Sequence, residues 1–285
     1  MSSTTARVAA ARSRGDGTGP RRRGGGVRAL YAGNARSVVV RGLVATRSTN
    51  WIVVLTGVVE PVFYLLSLGV GLGGYVTGVT DPAGNPISYA AFIAPALLAV
   101  SAMNGAVYDS TWNVFFKMHF GKLYQGMLAT SLGPLDIALG EILLALLRGG
   151  VYGTIFLVVM TALGLNLSWT AVLALPALLL IAFGFASIGM AITSYLKTFQ
   201  HMDWIQFVML PMFLLSATFY PLTVYPEPIQ WFIQAMPLWH GVELIRSLTT
   251  GAIGPMLLVH VAYYAVMVAI GMVFTTRRLR ALFLD

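Results

Sequence analysis

The 285-residue sequence has no cysteine. Disulfides, thiolate metal sites and cysteine nucleophiles are therefore excluded. Charge is scarce too: Asp, Glu, Lys and Arg make up 10% of the residues, against roughly 25% in a soluble domain. So few charges cannot coat a water-facing surface of this size. A glycine-rich phosphate cradle followed by Lys and Ser or Thr is missing. The single Gly-Lys pair, Gly121-Lys122, runs into Leu123 and lacks the earlier glycine. Neither this motif nor a soluble stretch long enough for a nucleotide domain is present, so the chain reads as a non-enzyme. Gly-x-Ser-x-Gly is absent as well. The four histidines (His119, His201, His240, His260) never recur at metal-ligand spacing on one helix, and read as structural or surface residues.

What is present is apolar. Hydrophobic residues make up 57% of the chain, and the mean hydropathy is +0.78. A spanning helix needs about 20 predominantly apolar residues. Six stretches qualify: Trp51–Tyr75, Tyr89–Tyr108, Leu135–Leu163, Ala171–Tyr195, Trp204–Tyr220 and Ile253–Thr275. The third holds Gly149-Gly150 in its middle, and the short fifth holds Pro211. Both are tolerated where neighbouring helices re-satisfy the backbone. Trp51, Trp169 and Trp204 stand at segment ends, where indole rings favour the headgroup layer.

The basic residues are gathered at one end. Residues 1–47 hold ten of the eighteen Lys+Arg and one acid, Asp16. This is a cationic tail rather than a nucleic-acid-binding face. Residues 1–27 read as a disordered tail rich in Gly, Ser, Thr and Arg. Residues 28–50 alternate apolar and basic residues, and read as an amphipathic helix on the lipid surface or as a further basic leader. The basic region is too long for a cleavable signal peptide. The second-to-third loop carries Lys117 and Lys122, the fourth-to-fifth carries Lys197, and the C-terminal region carries Arg277, Arg278 and Arg280. Among the other loops only the fifth-to-sixth holds a base, Arg246, against Glu227 and Glu243. The positive-inside rule then predicts six spans with both termini in the cytoplasm. Residues 51–280 form the membrane domain in this reading.

Two connections exceed a simple turn. In Asp109–Gly133, Trp112, Phe115, Phe116 and Phe120 share a helical stripe with Lys117 beside it. In Pro221–Gly254, three prolines break an apolar run into pieces too short to span, so short re-entrant or interfacial helices are expected. Within the spans, Glu60, Glu141 and Arg148 are the candidate ionisable groups. They fit either packing pairs, such as Glu60 with Arg148, or a conduction and gating role.

Several runs resemble one family. Glu60–Val76 (EPVFYLLSLGVGLGGYV), Tyr89–Pro95 (YAAFIAP), Met127–Glu141 (MLATSLGPLDIALGE) and Met236–Arg246 (MPLWHGVELIR) are similar, in order and spacing, to type-2 ABC exporter permeases of the nodulation-factor, lipooligosaccharide and drug branch. The resemblance implies an all-α integral membrane protein: six spans, an N-terminal interfacial helix, a cytoplasmic coupling helix and short outer helices before the last span. It implies a plasma-membrane homodimer or heterodimer of permeases, docked on a separate ABC ATPase subunit that holds ATP and Mg. Trp112, Phe115, Phe116, Lys117 and Phe120 would contact that ATPase. Phe219, Tyr220, Trp231 and Trp239 would shape the outer gate. The same inner segment also suits a helix lying among lipid headgroups. Export of an amphiphile (glycolipid, lipooligosaccharide or hydrophobic drug) is the function implied. An ion-coupled carrier would need paired broken helices in an internal repeat. A membrane enzyme or anchoring subunit would need a polar constellation in the spans. Neither pattern is evident.

Overall fold

The computed structural model describes residue 31, residues 33–46, residue 59, residues 61–81 and residues 84–283. The expectations for residues 1–27, for most of the first span and for Glu60 lie outside these. Among the described residues the regular structure is helical, apart from one isolated antiparallel bridge between Thr80 and Pro86.

Ten helices carry the architecture. They are α1 (Ala35–Thr46), α2 (Pro61–Val70), α3 (Tyr89–His119), α4 (Leu123–Leu128), α5 (Pro134–Ala162), α6 (Trp169–Tyr195), α7 (Met202–Leu215), α8 (Glu227–Ala235), α9 (Pro237–Thr250) and α10 (Met256–Phe283). Four of them, α3, α5, α6 and α10, are long and apolar enough to cross a membrane. The chain is thus a multi-pass membrane protein. α2 and the 14-residue α7 are shorter apolar helices.

Local signals place the helix ends. The Ser88 hydroxyl accepts from the Ala91 N–H at 3.2 Å and opens α3. Pro134 opens α5, where the Asp136 carboxylate accepts from Gly133 N–H at 2.8 Å and from Asn34 N–H at 2.9 Å. One buried carboxylate therefore caps α5 and also ties the start of α1 to it. Pro237 opens α9, and Gly251, at φ 83°, closes it in the left-handed region that glycine tolerates.

α3 differs from expectation. The span was expected to end at Tyr108, before a separate inner helix. Instead one rod of 31 residues runs from Tyr89 to His119, about 46 Å at 1.5 Å per residue. A wide π-turn at Asp109–Asn113 takes up the irregularity without breaking it. Thr111 Oγ1 donates to the Val107 carbonyl at 2.6 Å, and Thr193 Oγ1 donates to the Ser110 carbonyl at 3.2 Å, so hydroxyls satisfy the widened turn. α5 also passes through Gly149-Gly150 unbroken. α7 stops at Leu215 instead of reaching Tyr220, because the chain turns at Ala217, a non-glycine residue at φ 53°.

α3 occupies the centre and α6 packs beside it, with α5, α9 and α10 around them. α10 and α5 turn most of their apolar surface outward, as lipid-facing helices do. Without a hydrophobic drive between helices in lipid, close approach depends on small residues. A Cβ on Gly271 would stand 2.6 Å from the Ser187 backbone, and one on Gly184 would stand 2.6 Å from the Tyr264 ring. The α6–α10 seam is therefore closed to larger side chains.

Gly271→Val is expected to lower stability by about 1–3 kcal/mol through overpacking of this seam. Gly149→Ala, where an added Cβ meets nothing within 4 Å, is expected to leave stability unchanged or slightly raised. Thermal unfolding of both variants in the same detergent tests the pair.

Candidate functional site: a polar cleft on the central helix

The C-terminal half of α3 borders a cavity of about 640 Å³, lined also by α2, α5 and α7. Its walls are mixed. Leu97, Val100 and Met209 are apolar, Tyr64, Tyr108 and Trp112 are aromatic, and Asn104, Gln206, Asp109 and Arg148 are polar. Pro61 and Tyr64 bring α2 to its edge.

Two ion pairs stand at the end of the cavity nearer the C-terminus of α3. Asp109 Oδ1 meets Arg148 Nη1 at 2.5 Å, and Glu141 Oε2 meets Lys117 Nζ at 2.5 Å. Asn113 Nδ2 also donates to Asp109. On α3 the acid precedes the base by eight residues, and on the antiparallel α5 the acid precedes the base by seven. At 1.5 Å per residue these are separations of about 12 and 10 Å. Opposite running directions therefore set each acid against the other helix's base. The sequence reading had offered Glu60 as a possible partner of Arg148, and Glu60 lies outside the described residues. Asp109 and Lys117 were missed as partners because they had been assigned to a loop beyond the span. The usable signal was the matched charge spacing on two successive apolar segments.

Beyond the ladder, an aromatic cluster ends α3. The Phe115 ring stacks on His119 at 4.2 Å, and Phe199, from the link between α6 and α7, packs edge-on to Trp112 at 5.0 Å and to Phe116 at 5.9 Å. Phe115 is buried, whereas Phe116 and Phe120 are exposed. Of the five residues expected to meet a partner, Phe116 and Phe120 are presented outward. Phe115 holds the helix end together, and Lys117 is engaged by Glu141.

At the opposite end, α9 is buried against α3, α10 and α6. Arg246 forms an ion pair with Glu243, donates to the Ala217 carbonyl at 3.1 Å, and lies 4.0 Å over the Phe92 ring. It thus fastens α9 to α3 and to the turn after α7. The four residues expected to shape an outer gate do not converge. Phe219 packs on Phe213, Tyr220 and Trp231 are exposed, and Trp239 is buried against two imidazoles. Those imidazoles form a pair that sequence spacing could not reveal, because its members lie 20 residues apart on different helices. Nδ1 of His240 and Nδ1 of His260 stand 2.8 Å apart, so one must donate and the other accept. Burial first, and His260 second, push His240 down to about 4. Among the described residues no three His, Asp or Glu side chains converge on a possible metal position.

The fold and this cleft define a multi-pass membrane protein with a polar cavity among its helices. Residues 35–250 match the family model described as ABC-2 type transporter, and the chain belongs to that family. Its relatives include Nodulation protein J of Rhizobium leguminosarum bv. viciae, 30% identical over 259 residues, covering 90% of this chain and 98% of that protein. Nodulation protein J of Rhizobium leguminosarum bv. trifolii is 32% identical, covering 80% of this chain and 86% of its own. The protein of that name from Bradyrhizobium diazoefficiens is 34% identical, covering 75% and 80%. The resemblance read from the sequence is thereby established at family level.

His240 gives the site a pH signature. A depressed folded value means that the unfolded chain binds more protons, so the neutral pair's contribution is intact above the unfolded value of about 6.5 and falls away as pH drops toward 4. The melting temperature of the wild-type protein is expected to fall through that window. In His240→Gln the slope is expected to flatten, as read by melts from pH 8 to pH 4.

Proposed function

We propose that the chain is the membrane-spanning subunit of an ATP-driven exporter. It moves an amphiphile (glycolipid, lipooligosaccharide or hydrophobic drug) out of the cytoplasm or the inner leaflet of the plasma membrane. ATP and Mg are held by a separate ABC ATPase subunit, and a second permease subunit completes the path. The observation that carries this reading is the continuity of α3. One rod has exposed aromatic residues, Phe116 and Phe120, at one end and lines the cavity with its middle. A partner that grips the aromatic end can act on the cavity without an intervening hinge. Such a partner shifts the conformational balance only through contacts that differ between states.

In this reading α2 with the residues before it, and α7, add two spans to the four long helices. The end bearing Lys117, Lys122, Lys197 and Arg277–Arg280 faces the cytoplasm, with both termini. α1 lies along the inner lipid surface with Arg36 and Arg41 exposed, and α8 with α9 forms the outer gate. The ion-coupled alternative is disfavoured because the ionisable groups on α3 and α5 are spent on one another as two ion pairs. A proton relay needs groups that exchange partners along a path.

Co-expression with an ABC ATPase, followed by co-purification and ATPase assay, tests the reading. Phe116→Asp and Phe120→Asp together are expected to lower recovery of the complex at least about tenfold, equivalent to about 1.4 kcal/mol, while the melting temperature of the permease is kept. Wild-type assembly and turnover in this double variant would remove the aromatic end as the coupling element.

A further inference from the structure

The turn that ends α7 is buried and strained. Ser216, Ala217 and Thr218 are all buried, and Ala217, a non-glycine residue, sits at φ 53°. The left-handed region costs an L-residue roughly 1–2 kcal/mol, and such strain persists only where the surroundings enforce it. Here three contacts enforce it. Arg246 Nη2 donates to the Ala217 carbonyl at 3.1 Å, the Tyr89 hydroxyl donates to the Phe219 carbonyl at 3.3 Å, and the Phe219 ring packs edge-on to Phe213 at 5.1 Å. The enforcement is incomplete. The Thr218 hydroxyl is buried and has no hydrogen-bond partner among the described residues, and the same holds for Arg246 Nε. A buried polar group left unmatched is costly.

A second seat for the segment removes both defects at Ala217 and Thr218. The apolar run continues to Tyr220, and Pro221 is the first residue after α7 that a helix would avoid. Continued as a helix, Ala217 would return to the right-handed region. The N–H groups of Thr218, Phe219 and Tyr220 would meet the carbonyls of Leu214, Leu215 and Ser216. The Thr218 hydroxyl would find the Leu214 carbonyl. Thr111, Thr154, Thr161, Thr193 and Thr276 already make this bond, each donating to the carbonyl four residues back. Phe213 and Phe219, six residues apart, would lie on different faces of one helix, so their contact belongs to the turn alone.

We propose that Ser216–Tyr220 is a switch segment that alternates between the buried turn seen here and a continuation of α7 to Tyr220, with Arg246 as the latch of the turned state. The 14-residue α7 would become a rod of about 19 residues, about 28 Å long at 1.5 Å per residue, close to the hydrocarbon thickness of about 30 Å. α7 thus falls short of spanning in one state and spans in the other. The switch reaches the cavity through Phe213, which lines it and loses its Phe219 neighbour when the helix extends. The two states stand independently of the export reading.

The chain has no cysteine, so one introduced thiol reports alone. Thr218→Cys in the full chain in nanodiscs is treated with N-ethylmaleimide, and the labelling rate is read by mass spectrometry. Thr249→Cys, at an equally buried threonine on α9, reports opening by global unfolding. Thr218→Cys is expected to label at least about tenfold faster. Adding Ala217→Gly relieves the turn and weakens the helix, and is expected to slow labelling at least about tenfold. Phe219→Ala and Phe219→Gly remove the same ring contact, and both are expected to label faster than the parent. Glycine disfavours a helix by about 1 kcal/mol relative to alanine, so Phe219→Gly is expected to label about fivefold more slowly than Phe219→Ala. Ser216→Cys, also buried, carries the same series if Thr218→Cys does not fold. Labelling no faster than at Thr249→Cys, or undiminished by Ala217→Gly, would overturn the switch. Phe219→Gly labelling as fast as Phe219→Ala would show an open state that is not helical, and would overturn it equally.

Discussion

A charged group in a hydrocarbon setting has to be matched by its opposite or it costs several kcal/mol. That constraint organises the half of this protein around the C-terminal part of α3. Asp109 and Lys117 on α3 are matched by Arg148 and Glu141 on α5. Two rungs, rather than one, fix the lateral position of the two helices as well as their relative height. Sliding either helix by one turn, about 5.4 Å, would part all four charges. The register of α3 therefore depends on this ladder. On that register depend the height of the cavity wall, the position of the widened turn and the protrusion of Phe116 and Phe120 beyond α5.

The opposite half is tied by a different device. Arg246 is buried, and its charge is shared among Glu243, the Ala217 carbonyl and the Phe92 ring. Through it α9 is bound to the N-terminal part of α3, while the His240–His260 contact and the Tyr264 hydroxyl on the Pro237 carbonyl, 2.7 Å away, bind it to α10. A short helix that cannot span is thus anchored to two helices that can. Between these two polar clasps most contacts are apolar or between small residues, as at Gly271 against Ser187, and a few hydroxyl bonds cross the seams, such as Thr275 Oγ1 donating to the Ser187 carbonyl at 3.4 Å.

Much of this was legible in the sequence. The long apolar runs announced the spanning helices, because a membrane admits few alternatives. The three prolines after Pro221 announced short helices before the last span, and the family likeness followed from runs that keep their order. The sequence also pointed to Glu141 and Arg148 as notable. It did not reveal Asp109 as a partner of Arg148, because Asp109 was taken as the first residue of a loop. A polar stretch after an apolar run reads as an exit from the membrane. Here hydroxyl groups on Ser110, Thr111 and Thr193 satisfy a widened turn and the helix continues. The proposed outer-gate set failed to converge for a related reason: aromatic residues in a proline-broken segment show no periodicity from which a shared face could be read.

The sequence by itself determined the class of protein, the apolar helices and the gathering of positive charge at one end, since these follow from composition and from spacing along a single chain. Only the tertiary structure decided which charges pair, that α3 is one rod, that two histidines 20 residues apart touch, and that amides and aromatic faces share a cavity. Each of these depends on contacts between helices distant in sequence. Those contacts are set by the antiparallel running of α3 against α5, the parallel running of α6 beside α10, and the depth to which small residues let helices approach, none of which a linear pattern encodes.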